Sequence, residues 1–182
     1  VFLGLFALIL IFLSANKLDP SSEIPFAKDV DFATLDDGLT KPIYSSMTHS
    51  GDELRISADQ IISTEKKDTA LIKSAILRVF FGNGSKLFLS SDTAMLNKGK
   101  NNLVFSKNVI LKTDDRMEIT APEIFSALDK TLIKAGGPVK GLFGISTIEA
   151  GQLDIFREDT SSNLVISFTQ GVKMVYDVRK SF

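Results

Sequence analysis

The chain has 182 residues, 44% of them hydrophobic and 24% charged, and its net charge is −1. This length suits one domain with a hydrophobic core, or one domain with an anchor, and it is too short for a TIM barrel. The near-neutral charge gives no reason to expect a nucleic-acid partner. The lack of cysteine excludes disulfides and thiolate metal sites, and the single histidine, His49, excludes multi-histidine sites. We therefore expect neither a metal nor a cofactor.

The N-terminal segment, residues 1–13, reads VFLGLFALILIFL and has no polar side chain. A helix of this length spans roughly 20 Å, which is less than the roughly 30 Å hydrocarbon core of a bilayer. Because the chain begins with Val1 and not Met, we expect residues 1–15 to be a transmembrane anchor that is incomplete at its N-terminus. A cleaved signal peptide is the competing interpretation, although the large Leu13 makes Leu13-Ser14-Ala15 a poor cleavage site.

A linker is predicted over residues 16–25, because Asp19, Pro20 and Pro25 break a continuing helix. The folded domain then covers residues 26–182. Residues 14–40 contain two lysines and six acidic residues, so the flank after the apolar segment has no positive excess. By the positive-inside rule, the domain is expected to lie outside the cytoplasm.

From Leu54 onward, short apolar runs alternate with polar residues and are separated by turn signals, which favours an all-β sandwich or barrel. Four segments begin alike, near Leu54, Leu87, Met117 and Thr147, and their final small residues lie 33, 30 and 29 positions apart. Each is followed by a second strand with a break near its middle. We therefore predict an antiparallel all-β domain built from a repeat of about 30 residues.

Alternation along these strands predicts which side chains face inward. Small residues recur beside branched aliphatic residues on this inner face, which fits either a tightly packed core or an apolar groove with room for an alkyl chain. The residues predicted to line such a groove are Ile56, Ile72, Leu87, Leu89, Val104, Met117, Ile119, Ile133 and Val165.

Catalytic motifs are weak, and we predict that the protein is not an enzyme. His49 lies in a turn-like segment and is better explained as a surface residue than as a general base. Asp114-Asp115 is better explained as a turn than as an acid/base pair or a calcium site. An enzyme acting on envelope glycans would need two converging carboxylates, and the sequence offers no pair to nominate.

The C-terminal segment, residues 164–176, is predicted to form one long strand, LVISFTQGVKMVY, with little to block its edge. An unblocked edge exposes unpaired backbone N–H and C=O groups to another chain. Such an edge in a folded domain is either an aggregation hazard or a docking site for strand addition.

Several of these segments together resemble the LptC family, the single-pass inner-membrane component of the lipopolysaccharide export machine. The resemblance rests on the N-terminal apolar segment, on Phe32-Ala33-Thr34-Leu35-Asp36-Asp37-Gly38, and on Pro42-Ile43-Tyr44-Ser45 leading to the run from Gly51 to Asp59. The closing run from Gly171 to Tyr176 is also similar to the last strand of that family. The resemblance covers nearly the whole chain, but its pattern is diffuse and has no catalytic signature.

The resemblance implies a fold and a set of partners. The fold is a twisted, V-shaped antiparallel β-jellyroll of stacked strands, like that of the bridge protein LptA, preceded by a transmembrane helix. The helix, through residues 1–13, lies beside the permease subunits LptF and LptG, which work with the LptB ATPase. The domain lies in the periplasm, where its last strand pairs with an LptA-like bridge protein. The partner-edge residues are then Val165, Ser167, Gly171, Val172, Met174 and Tyr176.

The function implied by the resemblance is transport of lipopolysaccharide through the apolar groove toward the outer membrane, without chemistry on the lipid. The alternative is a membrane-anchored β-sandwich scaffold that binds protein partners by strand addition and has no lipid ligand. A filled interior would favour this scaffold.

Overall fold

The computed structural model describes residues 39–157 and 163–176, and over these ranges the chain is all-β, with no helix. The predicted anchor (residues 1–15) and linker (residues 16–25) lie outside the described residues. The strands are β1 Leu39–Thr40, β2 Ile43–Met47, β3 Glu53–Ser57, β4 Gln60–Ser63, β5 Thr69–Phe80, β6 Lys86–Asn97, β7 Asn102–Thr113, β8 Met117–Ala127, β9 Leu132–Phe143, β10 Ser146–Arg157, β11 Leu164–Thr169 and β12 Lys173–Tyr176.

All twelve strands belong to one antiparallel sheet, in which each long strand pairs with its neighbours in the sequence. Strands β5 to β10 are eleven or twelve residues long, and each contributes to two half-sheets. The first half-sheet has β2 and β3 at one edge and β12 at the other. The second half-sheet has β1 and β4 at one edge and β11 at the other.

A line of backbone irregularities separates the two half-sheets, and we call this line the corner. The pairing register shifts between Ser90 and Thr93 in β6, between Ser106 and Val109 in β7, and between Ala150 and Gln152 in β10. Ser74, Lys107 and Asn108 adopt positive φ angles of 51°, 64° and 51° at the same level of the sheet. Such bulges bend a strand, so every long strand turns from one half-sheet into the other at the corner.

Only one face of this sheet is buried along its whole length. In β5, Ile72 lies before the bulge and Leu77 after it, and both are at most 1% exposed. In β8, Ile119 and Ile124 on either side of the corner are 0% exposed. This face is buried on both half-sheets, and hydrogen bonds from Thr131 and Arg157 to Asp52 join one half-sheet to the other, so the two half-sheets pack against each other as in a β-sandwich.

The predicted repeat matches the strands. Its four units begin at β3, β6, β8 and β10, and the second strand of each is β5, β7, β9 or the pair β11 and β12. The predicted break near the middle of the second strand is the corner. The repeat follows from the fold, because each unit adds one hairpin that crosses both half-sheets.

The predicted inner face is wrong in the first half of β7. Leu103 and Phe105 are 0% exposed there, whereas Val104 lies on the opposite face and is half-buried. The cause is the bulge, which takes up Lys107 and Asn108 in β7 but only Ser74 in β5. A one-residue difference in register exchanges the two faces of a strand, so the alignment with β5 assigned the wrong face.

The predicted single strand over residues 164–176 is two strands. Gln170 and Gly171 have positive φ angles of 61° and 81° and end β11 before β12 begins. Strand β11 pairs with residues 152–157 of β10, and β12 pairs with residues 146–149 of the same strand. The break is therefore the corner again, at the last position of the sheet.

Candidate functional site

The residues predicted to line a groove mostly lie in the buried interior between the half-sheets. Seven of the nine are at most 6% exposed: Ile56, Ile72, Leu87, Leu89, Met117, Ile119 and Ile133. Val104 lies on the outer face, and its neighbour Phe105 points into the interior instead. Val165 is half-buried in β11. The interior is therefore continuous and apolar, and these side chains are closed off from solvent.

Two surface cavities lie elsewhere. One, of about 360 Å³, lies at the open end of the second half-sheet and is lined by Lys130, Lys134, Asp154 and Arg157 among others. The other, of about 520 Å³, lies over the corner and includes Lys107, Pro122 and Pro138. None of the nine predicted groove residues lines either cavity. The interior between the half-sheets is closed to solvent in this conformation.

Both edges of the first half-sheet expose apolar side chains. At the C-terminal edge, Val172, Met174, Val175 and Tyr176 are 49–60% exposed. In β11, at the corresponding edge of the second half-sheet, Val165 and Ser167 are only half-buried. The predicted partner edge therefore divides into an open part, β12, and a partly covered part, β11.

The opposite edge, β2, was not anticipated from the sequence. Ile43 and Met47 are 74% and 69% exposed, and Tyr44 is 48% exposed. Only five residues long and separated from β3 by a short turn, β2 gave a weak strand signal. Its exposure follows from its place as the last strand of the first half-sheet.

A buried polar cluster joins the two half-sheets at the end away from the corner. Asp52, which precedes β3, is 0% exposed. Its carboxylate accepts hydrogen bonds from Arg157 Nη2 at 2.5 Å and Nε at 3.1 Å, and from Thr131 Oγ1 at 2.5 Å. Arg157 ends β10 and Thr131 precedes β9, so both belong to the second half-sheet. We call Asp52, Thr131 and Arg157 the latch.

The latch carboxylate is also held within the first half-sheet. The backbone N–H of Gly82, just after β5, donates to Asp52 Oδ1 at 3.2 Å. In the β2–β3 turn, the Asp52 N–H donates to Thr48 Oγ1 at 3.1 Å, and the Thr48 N–H donates to the Asp52 carbonyl at 2.9 Å. The carboxylate therefore accepts four hydrogen bonds, two from Arg157 and one each from Thr131 and Gly82, and these offset the desolvation cost of its burial.

These donors set the ionisation of the latch. Burial by itself raises the pKa of Asp52, but hydrogen bonds from Arg157, Thr131 and the Gly82 amide, together with the charge of Arg157, outweigh it. The pKa of the Asp52 carboxyl therefore lies below its ordinary value of 3.8, and the latch is an ion pair at neutral pH.

His49 adds a second tie beside the latch. Its backbone N–H donates to the carbonyl of Asp129 at 3.1 Å, and its ring Nδ1 lies 2.6 Å from the same oxygen. Because a carbonyl only accepts, Nδ1 carries the proton. His49 lies in a turn, as predicted, but its role there is to join the β2–β3 turn to the β8–β9 turn.

The acidic pair singled out in the sequence has a structural role. Asp114 accepts hydrogen bonds from the backbone N–H of Lys86 at 2.9 and 3.0 Å, so it fixes the β7–β8 turn against β6. Within residues 39–157 and 163–176, no group of three or more His, Asp and Glu side chains could hold a metal ion.

Comparison with known families places this architecture. The model of the family described as lipopolysaccharide-assembly, LptC-related matches residues 4–178. The chain belongs to the LptC family. The match spans nearly the whole chain and confirms the resemblance seen in the sequence, so the chain is assigned a role in lipopolysaccharide export. No curated protein matches the chain.

The described residues of this LptC-family chain form an all-β antiparallel sheet with a continuous apolar interior. LptC proteins are generally anchored in the inner membrane. Among the residues that the structure describes, no helix is long and apolar enough to cross a membrane. The hydrophobic pattern of the sequence indicates neither the latch nor the β2 edge. Asp52 lies 79 residues from Thr131 and 105 from Arg157, and no local pattern links positions so far apart.

Proposed function

We propose that this protein is a non-enzymatic lipopolysaccharide transport component that receives lipid from an inner-membrane ABC transporter and passes it to a periplasmic bridge protein. The acyl chains would travel between the two half-sheets, which together form a twisted, V-shaped β-jellyroll. The supporting observation is the buried apolar face, which runs without interruption from β3 to β10 in a member of the LptC family.

The physical need for such an interior is simple. Each methylene group that leaves a lipid environment for water costs about 0.8 kcal/mol, and lipopolysaccharide has several acyl chains. An apolar interior shields these chains while the sugar stays in water. Contacts with Leu, Ile and Phe side chains are uniform and non-directional, which suits passage better than a single tight site.

The location and partners complete the proposal. Residues 1–13 would anchor the chain in the inner membrane beside LptF and LptG, with the LptB ATPase supplying direction. Residues 26–182 would lie in the periplasm and contribute to outer-membrane biogenesis. The apolar length of the first segment and the acidic flank that follows it support this orientation.

The C-terminal edge is the proposed site for the LptA-like bridge protein. Strand β12 exposes its side chains and ends the first half-sheet, so an incoming strand would extend that half-sheet. Of the partner-edge residues predicted from the sequence, Val172, Met174 and Tyr176 are the exposed apolar ones on or beside β12. The half-buried Val165 and Ser167 would contribute less to the contact.

A second candidate function is a scaffold that binds partners by strand addition without a lipid ligand. The packed interior favours it, because Leu77, Leu89 and Leu111 are 0% exposed and leave no open groove. The two exposed edges of the first half-sheet, β2 and β12, would suffice for this role.

Photocrosslinking in cells separates the two functions. A photoreactive aromatic residue replaces Phe105 or Ile119 on the inner face, and Val104 or Lys112 on the outer face serves as the matched control. Transport predicts lipopolysaccharide adducts at the inner positions and none at the outer ones. Adducts at no inner position, with the edge still crosslinking to a protein partner, would leave the scaffold.

The proposed edge has its own test. The double substitution Met174→Lys and Val175→Lys places charges on the open strand, which blocks strand addition at little cost in stability. We expect loss of co-purification with the bridge protein. The matched control is Leu142→Lys with Phe143→Lys, because these adjacent residues are 45% and 42% exposed on the same half-sheet but lie in β9, which is paired on both sides. Equal loss in the control would refute a specific edge contact.

A further inference from the structure

In this conformation the apolar interior has no opening through which an acyl chain could enter. Phe105, Ile119 and Leu153 are 0% exposed, and an acyl chain cannot lie among them unless the half-sheets separate. The half-sheets cannot separate at the corner, because the six strands β5 to β10 run through it without a chain break. Any opening must therefore occur at the opposite end, where the half-sheets meet through side chains and turns.

The latch lies at that open end. Asp52 belongs to the β2–β3 turn of the first half-sheet. Its partners belong to the second half-sheet, where Arg157 is the last residue of β10 and Thr131 directly precedes β9. Sheet twist explains why one edge of the first half-sheet meets the other edge of the second. The carboxylate is fully buried and the guanidinium is 16% exposed, so the ion pair is well shielded from solvent.

The contacts of the latch differ in kind from those of the interior. The apolar contribution is non-directional and scales with the area buried, but the Asp52–Arg157 pair is directional and is either formed or broken. A directional, buried ion pair is a suitable bistable element, because separating it exposes both charges to water at once. His49 and Asp129 add a weaker tie at the same place.

We propose that the latch is a gate, and that its opening admits lipid acyl chains between the half-sheets. The gate rests on the proposed transport function and adds a conformational step to it. The half-sheets pivot at the corner, the Asp52 carboxylate separates from Arg157 and Thr131, and the apolar interior becomes accessible from the open end. When the lipid has left, the ion pair forms again and closes the interior.

A reversible crosslink across the open end tests the gate. Ser50 and Lys130 line the same surface cavity, both are exposed, and they belong to the two sides of the latch. The chain has no cysteine, so Ser50→Cys with Lys130→Cys gives a unique pair for a short, reducible thiol crosslinker. The control pair, Lys112→Cys with Glu118→Cys, replaces two exposed side chains that face each other across β7 and β8 within the first half-sheet, and it leaves the gate free.

The readout is the lipopolysaccharide adduct of a photoreactive residue at position 105 of the full-length chain in membranes. We expect the crosslink across the gate to lower the adduct at least tenfold, reduction to restore it, and the control crosslink to leave it unchanged. An undiminished adduct in the crosslinked protein would overturn the gate and leave the transport function intact. No adduct even in the reduced protein would overturn the transport function, and the gate with it.

Discussion

The corner and the latch lie at opposite ends of the same two half-sheets and hold them together in different ways. At the corner, β5 to β10 pass from one half-sheet into the other as continuous backbone. At the latch, the half-sheets are joined by the buried Asp52 carboxylate and its donors Arg157 and Thr131. The comparison shows which end can act as a hinge and which can open.

The largest effect is expected from removal of the latch charge. Asp52→Ala leaves Arg157, Thr131 and the Gly82 amide without their acceptor, which should lower the free energy of unfolding by about 3 kcal/mol. Urea unfolding at neutral pH measures it. The matched control is Glu53→Ala, since the Glu53–Arg55 pair is 39% and 46% exposed and such surface pairs contribute about 0.5 kcal/mol.

A double-mutant cycle then tests whether the latch acts as a pair. Asp52→Asn and Arg157→Met each break the ion pair. The free energy of unfolding of the double variant should therefore fall by clearly less than the sum of the decreases in the two single variants. Strictly additive losses would show that Asp52 and Arg157 stabilise the fold independently, which contradicts the role assigned to the latch.

A smaller effect is expected at the corner, from Gly151→Ala. A Cβ at Gly151 would lie 2.5 Å from the backbone oxygen of Gln170, so β10 and the start of the β11–β12 break must shift apart. Overpacking of this kind costs about 1–3 kcal/mol. Gly136→Ala is the control, because a Cβ there would meet nothing within 4 Å. If thermal unfolding showed that both variants were equally destabilised, the close approach of Gly151 to Gln170 would not explain the lower stability of Gly151→Ala.

The smallest effect is expected from acid, and only below about pH 4. Because the folded-state pKa of Asp52 is lowered, the stability that its ionisation contributes is complete above pH 3.8 and is lost as the pH falls through the folded-state value. The stability difference between the natural chain and Asp52→Asn should therefore stay constant from pH 8 to 5 and narrow below about pH 4. A difference that narrows between pH 8 and 6 would contradict an ion pair held by Arg157.

The sequence predicted the hinge side of this comparison better than the latch side. Period-two alternation and the 30-residue repeat located the long strands, and the buried positions of β6 and β8 followed from them. The face of β7 was wrong because bulge length, one residue at Ser74 but two at Lys107 and Asn108, is not visible in a hydrophobic pattern. The repeat predicts the break at Gln170 and Gly171, whereas the hydrophobic run of residues 164–176 by itself favours one continuous strand.

The latch could not be predicted, because it depends on tertiary structure alone. In the sequence, Asp52 follows Gly51 next to the turn-like segment of His49, and no motif distinguishes Arg157. Only the twist of the two half-sheets brings the β2–β3 turn to the end of β10. The signal that would have pointed to it is burial of an acidic residue in a turn, which requires coordinates.

The distance between the open ends of the two half-sheets tests the central claim most directly. Spin labels on cysteines at Asp115, in the β7–β8 turn, and Lys100, in the β6–β7 turn, report on the first and second half-sheets, and both positions are exposed. Pulsed electron–electron double resonance, with and without bound lipopolysaccharide, gives the distribution of distances between the two spin labels. We expect a second, longer distance when lipid is bound. An unchanged distribution in a sample that demonstrably contains bound lipid would contradict passage between the half-sheets.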